Sequence, residues 1–193
     1  MNAPPKSHYT PEEYLELERE ADYKSEYYEG EIFMMAGGTP NHNRIKENAS
    51  IEIGGFLRGK TCRSFSSDQR LLVEETGLYT YPDIMVICGP NQYSDIQKNA
   101  IVNPVILIEV LSKSTESYDR GEKFKLYRKI ETLQEYVLID SQKVRAEVFR
   151  RGESKFWYIA SEADSVDGHI TLDSIGLTLP LSVVYADTED ILT

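Results

Sequence analysis

Val105-Ile106-Leu107-Ile108-Glu109-Val110-Leu111 is an apolar run interrupted by a single carboxylate. A run this short, built of β-branched and aliphatic residues, reads as a strand buried on both faces. Side chains alternate across a strand, so Leu107, Glu109 and Leu111 share one face and Ile108 and Val110 the other. An ionised carboxylate buried there without a partner is prohibitively expensive. Glu109 is therefore neutral, paired or bound to a metal. Upstream, Tyr81-Pro82-Asp83 heads a second apolar strand, Ile84-Met85-Val86-Ile87. If the two strands pair, Asp83 meets Glu109. Two such acids offer hard oxygen ligands, which suit Mg²⁺ or Mn²⁺ rather than zinc.

The segment after Glu109 adds a second pattern. A helix is expected from about Tyr118 to Ile130, and Asp119, Lys123 and Tyr127 fall on one of its faces because they are spaced by four. That face can return over the sheet edge carrying Glu109. A lysine there can stabilise charge on a metal-bound phosphate. The same spacing also describes an ordinary surface ion pair between Asp119 and Lys123, and a tyrosine whose ring packs while its tip stays in water.

Elsewhere the punctuation is legible. Thr10-Pro11-Glu12-Glu13 opens a helix ending near Ala21. Glu29-Gly30 turns a hairpin. A second helix runs from about His42 to Leu57 with Ile45, Ala49, Ile53 and Phe56 as its apolar stripe. Cys62 to Phe65 and Gln69 to Val73 read as strands, Gly89 to Asn99 as a polar loop, and Tyr136 to Ile139 as a strand. Lys143 to Phe149 and Lys155 to Ile159 form a hairpin around Arg151-Gly152-Glu153. Gly168 to Tyr185 reads as short strands, and Trp157 and the C-terminal tyrosines as core. The pattern is that of one α/β (α+β) domain over residues 1–193.

Composition narrows the function classes. No apolar stretch is long enough for a membrane span and no secretion signal is visible, which points to a cytoplasmic protein. Cys62 and Cys88 have no zinc spacing, so reduced thiols are expected. A net charge of −11 argues against generic nucleic-acid binding. The charge is uneven, however. Glu12 to Glu31 holds nine acids against Arg19 and Lys24, whereas Arg44 to Arg63 holds five basic residues against two acids, and Lys113 to Lys129 six against three. A local basic surface beside the buried acids and a set of ordinary solvated faces both fit this distribution. Gly-rich phosphate loops, GxSxG and HExxH are absent from the sequence.

Tyr81-Pro82-Asp83 followed by Glu109-Val110-Leu111-Ser112 resembles the PD-(D/E)XK nuclease pattern. More narrowly, the chain resembles the Uma family of restriction-endonuclease-like proteins. The resemblance runs through Glu26-Tyr27-Tyr28-Glu29-Gly30-Glu31, Met35-Ala36-Gly37-Gly38-Thr39, His42-Asn43, Ser67-Asp68, Ser114-Thr115, Asp119-Arg120-Gly121-Glu122-Lys123, Tyr127 and Glu135-Tyr136. It implies a restriction-endonuclease-like core, a central mixed sheet flanked by helices. It also implies Mg²⁺-dependent hydrolysis of DNA phosphodiesters, often by a homodimer. Carried over, Asp83 and Glu109 become metal ligands, and Glu26 an acid contributed from before the sheet.

One departure stands out. The nuclease pattern places a lysine two residues after the second acid, and here that position is Leu111. Lys123 is the natural substitute. Lys113 serves only if the strand continues past Ser112. His42, beside Asn41 at a helix start, is either a site residue or a solvated cap. If no lysine reaches the acids, the alternative is an inactive nuclease-fold protein acting as a DNA-binding or protein-interaction module.

Overall fold

The computed structural model describes residues 8–192. Helix α1 (Pro11–Glu20) starts where the sequence places it. The Thr10 hydroxyl accepts from the Glu13 N–H while the Glu13 carboxylate accepts from the Thr10 N–H, so two donors at the helix end are satisfied reciprocally. Strands β1 (Ser25–Tyr28) and β2 (Glu31–Met34) form the expected hairpin. Its turn residues Glu29 and Gly30 have φ of 47° and 85°, the left-handed pair that a tight two-residue hairpin demands. Helix α2 (Pro40–Leu57) begins slightly earlier than expected, because Thr39 caps it by accepting from the His42 N–H and Pro40 pre-sets the first turn.

Four strands follow: β3 (Cys62–Ser66), β4 (Leu71–Val73), β5 (Leu78–Thr80) and β6 (Ile84–Cys88). Strand β5 has three residues, too few to show a period in the sequence. The quoted apolar run becomes β7 (Ile106–Leu111), every residue of it buried. Helix α3 (residues 116–127) begins at Glu116, ahead of Tyr118. It consists of Glu116–Tyr118, a π-helical turn over Asp119–Lys123, and Phe124–Tyr127. The remaining elements are β8 (Glu135–Asp140), β9 (Ala146–Arg151), β10 (Trp157–Ala163), β11 (His169–Leu172), β12 (Leu177–Pro180) and a one-turn helix α4 (Leu181–Val184) that the sequence reading lacked.

The central sheet has six strands in the order β10-β9-β8-β7-β6-β3. It is mixed, since β7 and β8 run parallel and the other pairs antiparallel. A four-stranded sheet, β2-β1-β5-β4, feeds through Tyr81-Pro82 into β6, and β11 and β12 form a separate pair. The alternation predicted for β7 sorts the core. Ile106, Ile108 and Val110 pack with Ile45, Ala49 and Ile53 of α2 and with the C-terminal strands. Leu107 and Leu111 pack on the other face with Leu126 and Tyr127 of α3. A third cluster, centred on stacked Tyr14 and Tyr27 with Tyr79, seats α1 on the smaller sheet. Of the C-terminal tyrosines expected in the core, Tyr185 is buried but Tyr158 is exposed, because it lies on the outward face of β10, and Trp157 is half-buried at the margin of the core.

Among the described residues no helix is long and apolar enough to cross a membrane.

One expectation is overturned. Cys62 and Cys88 are a disulfide rather than free thiols. They lie directly opposite each other where β3 pairs with β6, a cross-strand adjacency that their sequence spacing cannot reveal. The bond removes the thiol argument for a cytoplasmic location. It closes a loop of 26 residues and ties the edge strand β3 to its neighbour. Replacing both cysteines with serine is expected to lower unfolding stability by about 3 kcal/mol. Urea denaturation of the wild type with and without reductant, alongside the double variant, checks this. A reductant effect that persists in the variant would refute it.

Candidate functional site

The antiparallel register of β6 and β7 sets Ile84 opposite Ile108, which brings Asp83 beside Glu109. The two carboxylates are tied through the backbone. The Val110 N–H donates to Asp83 Oδ2 at 2.8 Å, and the Asp83 N–H reaches towards Glu109 Oε2 at 3.4 Å. Asp83 Oδ2 also faces His42 Nε2 at 3.3 Å, so the N-terminal turn of α2 joins the site. The sequence left His42 open between a solvated cap and a site residue, and the structure places it against the acid. Its Nδ1 is buried and has no partner among the described residues.

Lys123 is the second organiser. Its ammonium lies 3.0 Å from Glu109 Oε1, 3.2 Å from Glu26 Oε1 and 3.6 Å from Asp119 Oδ1. Glu26 comes from β1 and is held by the Thr80 hydroxyl of β5. Asp119 and Lys123 sit in the π-helical turn, and both are buried. The surface ion-pair reading of that pair is therefore wrong. The wider turn still stacks residues four apart, and it pushes both side chains inwards. Such turns occur most often inside helices at functional sites.

Tyr127 does not keep a solvated tip either, since its hydroxyl donates to Glu109 Oε1 at 2.8 Å and the residue is fully buried. Leu111 is core, as its parity on β7 requires. Lys113 lies exposed beyond the end of β7 and takes no part.

All four sequence-chosen residues, Glu26, Asp83, Glu109 and Lys123, thus converge. Asp119, Tyr127, His42 and Thr80 complete the cluster. Thr80 carried no sequence signal, because a threonine in a short strand is ordinary.

The electrostatics follow from burial. Burial pushes the Glu109 carboxyl up to about 8, with Asp119 and Asp83 adding repulsion and Lys123 opposing them. Asp119 is raised for the same leading reason. Burial also works against charge on Asp83, but the His42 ring, the Val110 N–H and Lys123 outweigh it and hold that carboxyl below its usual range. Burial alone would discharge Lys123. Glu109, Tyr127, Glu26 and Asp119 together keep its ammonium protonated well above the ordinary lysine range. Three carboxylates thus surround one fixed cation with Asp83 beside Glu109, and the cluster holds more potential negative charge than Lys123 can neutralise.

That excess, and the all-oxygen donor set of Asp83 and Glu109, fit a hard divalent cation. Among the described residues no three histidine, cysteine, aspartate or glutamate side chains are arranged to enclose an ion. Two carboxylates with water and phosphate completing the shell is the ordinary way Mg²⁺ is held, so a closed cage is not required.

Comparison with known proteins gives the family and the fold. The family model described as "Uma2: Putative restriction endonuclease" matches residues 11–182. Two uncharacterized proteins of Synechocystis sp. (strain ATCC 27184 / PCC 6803 / Kazusa) are similar. One is 37% identical over 176 residues, covering 91% of this chain and 90% of that protein. The other is 40% identical over 150 residues, covering 78% and 85%. The crystal structure of a "putative nuclease belonging to DUF820" from Anabaena variabilis ATCC 29413 superposes with a TM-score of 0.72 over 91% of this chain and 96% of that one. At 21% identity, that likeness is one of fold.

Removing the central cation tests the electrostatic account. Lys123→Met leaves Glu109, Glu26 and Asp119 buried without compensation, and is expected to destabilise the fold by about 3–5 kcal/mol. Chemical denaturation reads this directly. A loss under about 1 kcal/mol, typical of exposed pairs, would show that the cluster is effectively solvated.

Proposed function

This chain belongs to the Uma2 family of restriction-endonuclease-like proteins, and on that premise we propose that it is a Mg²⁺- or Mn²⁺-dependent endonuclease hydrolysing DNA phosphodiester bonds. The observation that carries the reading is the convergence of Asp83, Glu109 and Lys123 on one point at the end of adjacent strands. Asp83 and Glu109 would hold the cation. The bound ion supplies Lewis-acid polarisation of the phosphoryl oxygen and a lowered pKa for water.

The chain's own residues do the positioning. Tyr127 fixes the Glu109 carboxylate through Oε1, and the Val110 N–H and His42 fix Asp83 through Oδ2. Lys123 substitutes for the lysine that Leu111 displaces from the strand. Its ammonium faces the same carboxylate edge and can neutralise charge developing on a phosphate. Glu26 assists by holding that ammonium in place from the opposite side. A homodimer would present two such sites to the two strands of a duplex.

A second reading has its own support. Lys123 already has carboxylates on three sides at 3.0–3.6 Å, an arrangement that also suits a self-contained ion-pair cluster. With Leu111 in the lysine position, this favours an inactive module that binds DNA or protein, and a net charge of −11 weighs towards protein.

Plasmid nicking by purified protein in Mg²⁺ decides between them. The wild type is expected to nick, and Asp83→Ala and Glu109→Gln to lose about 100-fold or more, the scale of several kcal/mol of metal-assisted stabilisation. Equal nicking by wild type and Asp83→Ala assigns the activity to a contaminant. Calorimetric Mn²⁺ binding that disappears in Glu109→Ala, with no nicking by the wild type, supports the inactive module.

A further inference from the structure

Beside the acid cluster, two lysines from distant parts of the chain meet at one residue. Lys24, just before β1, donates to the Ser67 carbonyl at 2.8 Å. Lys46, one turn along α2 from His42, donates to the Ser67 hydroxyl at 3.3 Å. Ser67 follows directly on Ser66, the last residue of β3, which pairs with Ile84, so the chain leaves β3 at the end of β6 that Asp83 heads.

Two ammonium groups repel each other, and bringing them together needs an anion. The one present is Asp68, whose Oδ1 sits 2.6 Å from the Lys24 Nζ. Its carboxyl is held below the usual range by its hydrogen bond to Lys24 and by the charge of Lys24, with Lys46 adding to the effect. Yet the Asp68 side chain is 87% exposed on a turn, where an ion pair is weak. Ser67 Oγ is the one hydrogen-bond partner of Lys46 among the described residues, which leaves ammonium donors for another acceptor.

We infer that Lys24, Lys46 and Ser67 form a phosphate subsite for the nucleotide adjoining the bond at the acid cluster, and that Asp68 holds the place of that phosphate when no strand is bound. The inference rests on the reading of the acid cluster as a phosphodiester site, and it specifies the substrate class. A chain that grips a second phosphate one step from the first is built for a polynucleotide strand rather than a small phosphate ester. Such a subsite also gives Lys46, from one of the basic stretches of an acidic protein, a defined task, since local neutralisation and not net charge governs contact with phosphate.

The test is equilibrium binding of a labelled oligothymidylate of about 12 nucleotides. It is measured in EDTA, so that no cleavage is involved, over roughly 50 to 200 mM salt. Lys24→Gln and Lys46→Gln are each expected to weaken binding severalfold and to flatten the dependence of log affinity on log salt, the double variant by about 0.7, the single-strand value for the one phosphate the two lysines share. Asp68→Asn is expected to change affinity in the opposite direction, tightening it, which a damaged fold would not do. The inference is overturned if the wild type does not bind, if the lysine variants keep the wild-type salt slope, or if Asp68→Asn binds no tighter. It is equally overturned if inorganic phosphate at matched phosphate concentration displaces the oligonucleotide fully, which would make this a free-anion site. Lysine-dependent binding without nicking supports the subsite and removes only the catalytic reading. Nicking that is indifferent to both lysines removes only the subsite.

Discussion

The Lys123 ammonium, set among the carboxylates of Glu109, Glu26 and Asp119, is the interaction on which the rest of the site depends. Each acid comes from a different part of the chain: β7, β1 and the π-helical turn of α3. Without a shared cation, none of them could be buried charged at the junction of the two sheets. The lysine joins the central sheet, the smaller sheet and the helix above them at one point. The aromatic floor beneath it, Tyr127 against Tyr136, excludes water and strengthens every charge interaction within.

The cluster is also unbalanced, and the imbalance carries the chemical meaning. A structural ion pair is most favourable when charges match. Here burial drives Glu109 towards its neutral form while Lys123 stays charged, and Asp83 is kept ionised by contacts on its other side. The acid nearest the lysine and the acid nearest His42 are thus set apart electrostatically although they are adjacent in space. A divalent cation between them would reverse the penalty on Glu109. Glu26 and Glu109 are restrained by hydrogen bonds from Thr80 and Tyr127 rather than by extra cations, which leaves that demand unmet within the chain.

Much of this was readable before any coordinates. The alternation of β7 singled out Glu109 as a buried charge. The spacing of Asp119, Lys123 and Tyr127 put them on one helical face, and Tyr81-Pro82-Asp83 marked a strand entry. Those signals are local, so they survive in a linear sequence. Others did not. The disulfide depends on β3 lying antiparallel to β6, and Thr80 and Ser67 matter only through what the fold brings beside them. The burial of Tyr127 was misjudged because helical spacing gives a direction and not the depth of the wall it faces.

The sequence by itself determined which face of each long element is apolar, where α1 and the β1–β2 hairpin start, and that a carboxylate must sit inside a strand. These follow from periodicity, capping and the cost of burying charge, all properties of neighbours in the chain. Only the tertiary structure decided that Lys123 reaches Glu109 and Glu26, that His42 reaches Asp83, and that Lys24 and Lys46 converge on Ser67. Those contacts join residues far apart in the chain. They are set by strand register and by the placement of whole helices against a sheet, which no local pattern encodes.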